Sequence, residues 1–187
     1  MLKSASALTA LMVMTVSEAS YANPAQVVEP TQGRQIIVPM HPTRHVVPAA
    51  ATASGLSVYE IALDPRAPGA PPHTHANEDE FLYVIEGEVS VQIEDEVHRV
   101  REGAMVIKPR GQLHAFWNSS GAPARLLLTV SGDGDFEAFF DGVETAAADM
   151  DSPEPFEARM AALAETSGIT IEMGRLAPEA RSIYQPN

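Results

Sequence analysis

Cysteine is absent from all 187 residues. Disulfides and thiolate metal sites are therefore excluded, and any metal must be held by nitrogen and oxygen. Basic residues are scarce, with 12 Lys and Arg against 25 Asp and Glu, so the formal net charge is -13. That balance argues against nucleic acid or an anionic membrane as partner, since either would repel the chain. Long apolar runs are missing too. The stretch from Ala5 to Val16 is too short to anchor in a bilayer. With Lys3 before it and Ser20-Tyr21-Ala22 after it, the pattern in residues 1–22 is that of a secretory signal peptide, a frayed N-terminal helix being the plainer alternative. The expected location is extracytoplasmic, periplasmic or secreted, without a stable membrane anchor.

What remains fits one domain with extensions. Residues 23–52 carry Pro24, Pro30, Pro39, Pro42 and Pro48, which predicts an extended arm with a short strand at 35–38. His41 and His45 are four apart, but Pro42 between them opposes a helix, so both read as surface or packing histidines. Residues 53–131 alternate short apolar stretches with turns, as in Val89, Val91 and Ile93 against Ser90 and Gln92. This period of two, broken by glycine and proline every 8 to 12 residues, predicts a mainly β sandwich or barrel. Residues 132–187 hold 12 of the 25 acidic residues. There Phe136, Phe139, Phe140 and Val143, then Phe156, Met160, Leu163 and Ala164, recur at helical spacing. Two amphipathic helices packed on the barrel are expected, with a late strand at 169–173. The tail after Gly174 carries no pattern.

Within the barrel segment, His73 and His75 are two apart and share one face of a strand. Glu80 is five residues beyond His75, and a bend over 76–79 would return its carboxylate to that face. Leu82 and Val84 then face inward with it. His114 and Phe116 share a face by the same alternation. Three imidazoles and a carboxylate suit one divalent first-row transition metal (iron, manganese, nickel, cobalt, copper or zinc) and match calcium or magnesium poorly. A barrel with hydrogen-bonded core histidines is the structural alternative. His98, without a partner at ligand spacing, reads as surface.

These two segments resemble the paired motifs of the cupin superfamily. The second is Gly103, Pro109, Gly111, His114 and Asn118 in the pattern Gly-x5-Pro-x-Gly-x2-His-x3-Asn. The first is His73, His75, Glu80 and Gly87, with Gly69 three residues before the first histidine where the family usually has five. The resemblance is to small single-domain cupins similar to quercetin dioxygenases. It implies a jelly-roll barrel (a double-stranded β-helix), a metal held by His73, His75, Glu80 and His114, and Glu80 doubling as general base.

The expected function is then a metal-dependent dioxygenase acting on a small phenolic or enolic substrate, in a pocket walled by Leu82, Val84 and Phe116. Cupins also include non-enzymatic small-ligand binders and metal-dependent isomerases or lyases, and fold analogy does not choose among them. The strand at 80–85 is apolar on both faces, which predicts a homodimer through its outer face.

Overall fold

The computed structural model describes residues 24–38, 40–132, 134–149 and 151–185. The signal-peptide reading of residues 1–22 lies outside the described residues.

Among the described residues, eleven strands form two antiparallel sheets. Those of the first are β1 (Arg34–Val38), β2 (His41–Val47), β3 (Ser57–Leu63), β5 (Glu78–Glu86), β8 (Met105–Lys108) and β10 (Ala124–Gly132). They lie in the order β1-β2-β3-β10-β5-β8. The second has β4 (His73–His75), β6 (Glu88–Ile93), β7 (Glu96–Arg101), β9 (His114–Trp117) and β11 (Ile169–Ile171), in the order β11-β4-β9-β6-β7. The mainly β expectation holds, as a two-sheet jelly-roll barrel that is not strictly closed.

Alternation builds the interior. Tyr59, Ile61 and Leu63 of β3, Leu126, Leu128 and Val130 of β10, and Leu82 and Val84 of β5 are all buried on one face. Register stacks them: Leu126 pairs with both Ile61 and Val84, and Leu128 with both Tyr59 and Leu82. Val89, Val91 and Phe116 complete this core from the second sheet. The β5-to-β6 turn requires Gly87, whose φ of 82° and 2.7 Å separation between a would-be Cβ and the Pro123 carbonyl leave no place for a side chain.

The proline-rich stretch is more regular than an extended arm. Pro42 excludes helix but not strand, and it lies on β2 opposite Ile37 of the edge strand β1. His41, Thr43 and His45 alternate on the buried face of β2, so both histidines are interior groups. His45 stacks on Tyr59 at 4.6 Å between centroids.

Two helices follow, α1 (Phe136–Ala148) and α2 (Phe156–Thr166). Asp135 caps α1 by accepting from the Ala138 amide at 3.0 Å. Phe136, Phe140 and Val143 form its buried stripe, and the first two rings pack on Tyr59. The late strand is β11, which pairs with β4.

The tail, patternless in sequence, has a defined place. It ends in α3 (Arg181–Tyr184), and Leu176, Ala177, Ala180, Ile183 and Tyr184 cover Ala115 and Trp117 on the outer face of the second sheet. Ser90 and Gln92 are consequently buried rather than half-exposed. Gln92 Nε2 donates to the Arg175 carbonyl at 2.8 Å, and its Oε1 accepts from the Ala177 amide at 3.0 Å. Tyr184 Oη lies 2.7 Å from the Ala70 carbonyl and 2.8 Å from that of Phe116.

Candidate metal centre

Three strands bring the predicted ligands together. His73 and His75 come from β4, Glu80 from β5 and His114 from β9, where His114 pairs directly with His73. Each offers one ligand atom, and all four atoms lie within 4.8 Å of one another. Exposure ranges from 1% for His75 and His114 to 7% for His73.

The backbone orients the rings. His73 Nδ1 donates to the Pro71 carbonyl at 2.7 Å, and His114 Nδ1 donates to the Gln112 carbonyl at 2.9 Å. A carbonyl only accepts, so the proton sits on Nδ1 and Nε2 keeps its lone pair for a ligand. His114 Nε2 is 3.1 Å from Glu80 Oε2, and His75 Nε2 is 3.2 Å from Glu80 Oε1. Three ring nitrogens and one carboxylate thus converge inside an apolar barrel. Neither ring nitrogen of His75 has a hydrogen-bond partner, although both are buried. Unsatisfied buried polar atoms are costly, and a cation among the four donors would satisfy Nε2. The donor set fits a divalent first-row transition metal.

The charges sort accordingly. Burial, with the neighbouring His114 second, holds the His73 ring well below its ordinary pKa. Burial and then the Lys108 charge also lower His114. Both are thereby kept in the neutral form that binds metal. Burial works against ionised Glu80, but the Lys108 charge, with the His114 and His75 rings beside it, outweighs it, leaving the carboxyl well below its usual range. Burial likewise opposes a charged His75, yet Glu78 and Glu80 raise that ring to about 9.

Two further residues belong here that the sequence reading missed. Glu78 is 2% exposed, its Oε2 lies 3.4 Å from His75 Nδ1, and neither of its oxygens has a hydrogen-bond partner. The expected bend is confined to Ala76 and Asn77, so Glu78 is already strand and shares the face of Glu80. Parity counted back from Glu80 would have found it. Lys108, 1% exposed, places Nζ against Glu80 Oε2 and 5.5 Å from the Phe116 ring centroid. Met105 and Ile107 of β8 are exposed, and the same alternation sends Lys108 inward.

Leu82, Val84 and Phe116 are all buried in the hydrophobic core, Leu82 and Val84 on the same strand as Glu80 and Phe116 on the same strand as His114. His41 approaches Phe116 at 6.3 Å between centroids. His98, paired only loosely with Glu96 at 3.6 Å, is on the surface as expected.

Residues 59–130 match the Cupin domain family. The chain carries a cupin domain. Among curated relatives, this cupin is 34% identical over 80 residues to Germin-like protein 9-3 of Oryza sativa subsp. japonica, covering 40% of the chain and 37% of that protein. It is also 34% identical over 59 residues to the tetracenomycin polyketide synthase protein TcmJ of Streptomyces glaucescens, covering 32% and 40%. The chain thus spans less than half the length of these relatives. Among solved structures, the polyketide cyclase RemF of Streptomyces resistomycificus matches at 25% identity and a TM-score of 0.51, over 59% of this chain and 81% of that one. The narrower likeness to quercetin dioxygenases rests on the sequence alone.

Proposed function

We propose that this cupin is a metal-dependent dioxygenase acting on a small phenolic or enolic substrate outside the cytoplasm. The observation that carries the reading is the convergence of three buried histidines and the Glu80 carboxylate, on strands that also bury the apolar side chains of Leu82, Val84 and Phe116. His73, His75, Glu80 and His114 would hold the metal. When bound, it supplies Lewis acidity towards a substrate hydroxyl and open coordination positions for reactants.

The chain's own groups do the rest. Phe116 offers an aromatic face to the substrate ring. Glu80, kept ionised by the Lys108 ammonium beside it, is in the form that accepts the hydroxyl proton. The apolar core around the site limits water, so competing hydrolysis is suppressed. A dioxygenase places both oxygen atoms in product and needs no separate reductant.

A second reading is supported by the likeness to the polyketide cyclase RemF: a non-oxidative isomerase, lyase or ring-closing reaction on an enolisable substrate, using the same ligands. The test is turnover of a phenolic and β-dicarbonyl panel by protein loaded with each first-row dication, with dissolved oxygen recorded. Stoichiometric oxygen uptake supports the dioxygenase. Equal turnover without oxygen favours the second reading, and metal-dependent binding without turnover leaves a small-ligand carrier.

We further propose a homodimer through the outer face of β5 and β8, where Tyr83, Met105 and Ile107 are 36%, 59% and 61% exposed. Sedimentation at micromolar concentration tests it, a monomer being the adverse result.

A further inference from the structure

Lys108 has no evident structural purpose. A buried ion pair contributes little net stability, because desolvating both charges offsets their attraction. A hydrophobic side chain on β8 would fill the same space. Instead an ammonium with three donor hydrogens sits in the barrel, and among the described residues Glu80 is its one hydrogen-bond partner. Donor capacity is left over in a place where unmet donors are expensive.

The position matters more than the burial. Lys108 is register-paired with Glu80, and the Glu80 oxygen that it contacts is 3.1 Å from His114 Nε2. The ammonium therefore lies at the edge of the ligand cluster, on the side of Phe116. The charge count points the same way. With neutral imidazoles, the carboxylates of Glu78 and Glu80 and the Lys108 ammonium sum to a single negative charge, so a dication entering the site leaves a net positive charge in low-dielectric surroundings. Without Lys108 the two carboxylates would cancel the dication. Excess positive charge beside spare donors is a seat for an anion.

From this we infer that Lys108 is a specificity-determining residue that selects an anionic oxygen ligand, the enolate of a β-dicarbonyl or a phenolate with a neighbouring oxygen. One oxygen of that ligand meets the metal and the other accepts from Lys108 Nζ. The inference rests on the metal-centre reading above and is independent of whether oxygen is consumed. It separates this site from one that takes neutral sugars or amines.

Cobalt(II)-loaded wild type and Lys108→Met are titrated with acetylacetone, which binds as a monoanionic enolate with two oxygens, and with imidazole, a neutral metal ligand. Binding is followed by the visible absorption of cobalt. Loss of a hydrogen bond to a charged group weakens acetylacetone by about 10-fold or more in Lys108→Met, while imidazole stays within about twofold. Lys108→Arg retains most of the acetylacetone affinity. Should Lys108→Met fail to fold by circular dichroism, Lys108→Gln, which removes the charge and keeps a polar end, is read in its place. Unchanged acetylacetone affinity, or equal weakening of both probes, overturns the inference alone. Failure of the wild type to take up cobalt overturns the metal centre and this inference with it.

Discussion

Gly134 stands where any side chain would collide with the buried carboxylate of Glu78. The residue just before the α1 cap thus limits where Glu78 sits, and Glu78 in turn faces His75 Nδ1 at 3.4 Å. Gly134→Ala forces that carboxylate to move or the loop to shift. Overpacking of this kind costs about 1–3 kcal/mol, to be read from urea unfolding. Unchanged stability would show that the loop yields freely.

Glu78 would act on a bound metal only through His75, which it faces at 3.4 Å. Glu78→Gln keeps the size and removes the charge that favours the ring's Nδ1 proton, so metal affinity falls by about 10–100-fold, as for other outer partners of ligating histidines. Competition with a chelator measures it. The readout separates this role from simple packing, because thermal stability of the metal-free variant should move little by comparison.

His114→Ala removes a ligand outright and should exceed that loss, abolishing stoichiometric metal while leaving a folded barrel by circular dichroism. Full metal occupancy of the purified variant counts against the assignment.

His41 offers a pH test away from the ligands. Burial lowers its pKa to about 4, from 6.5 in the unfolded chain, and its Nδ1 shares a hydrogen bond with Thr43 Oγ1 at 2.9 Å. Between these values the unfolded state binds the extra proton, so the neutral ring's contribution is complete above pH 6.5 and is lost as pH falls towards 4. The full difference is about 3 kcal/mol. Relative to His41→Gln, the metal-free wild type should lose stability on going from pH 7.5 to 4.5; parallel curves would contradict it.

Tyr184 ties the tail to the site. Burial raises its phenol pKa, and the hydroxyl meets the carbonyls of Ala70 and Phe116. Tyr184→Phe should cost about 1–2 kcal/mol and loosen β9 next to His114, which hydrogen exchange at Phe116 and Trp117 would report.

Much of this was readable along the chain. A period of two is a local property, so Leu82, Val84 and Phe116 could be set on the inward face before any fold was known, and the helical stripe of Phe136, Phe140 and Val143 likewise. Of the two roles left open for the histidines of β2, surface or packing, only the strand decided for packing, because Pro42 excludes a helix while a strand beside an edge accepts it. Glu78 was missed because the bend was assigned two residues too many. The tail gave no signal, since Leu176, Ala177, Ala180 and Tyr184 follow no single period and find their partners on a different sheet.

The residue types and their spacing determined by themselves that this chain makes strands, turns them at Gly87 and Gly103, and carries a nitrogen and oxygen ligand set without sulfur. Only the tertiary structure decided that β4, β5 and β9 meet so that four donors converge, that Lys108 reaches Glu80 and that Gly134 makes room for Glu78. Alternation says which face a side chain takes. Which atoms touch across that face depends on register between strands dozens of residues apart, and no local pattern encodes it.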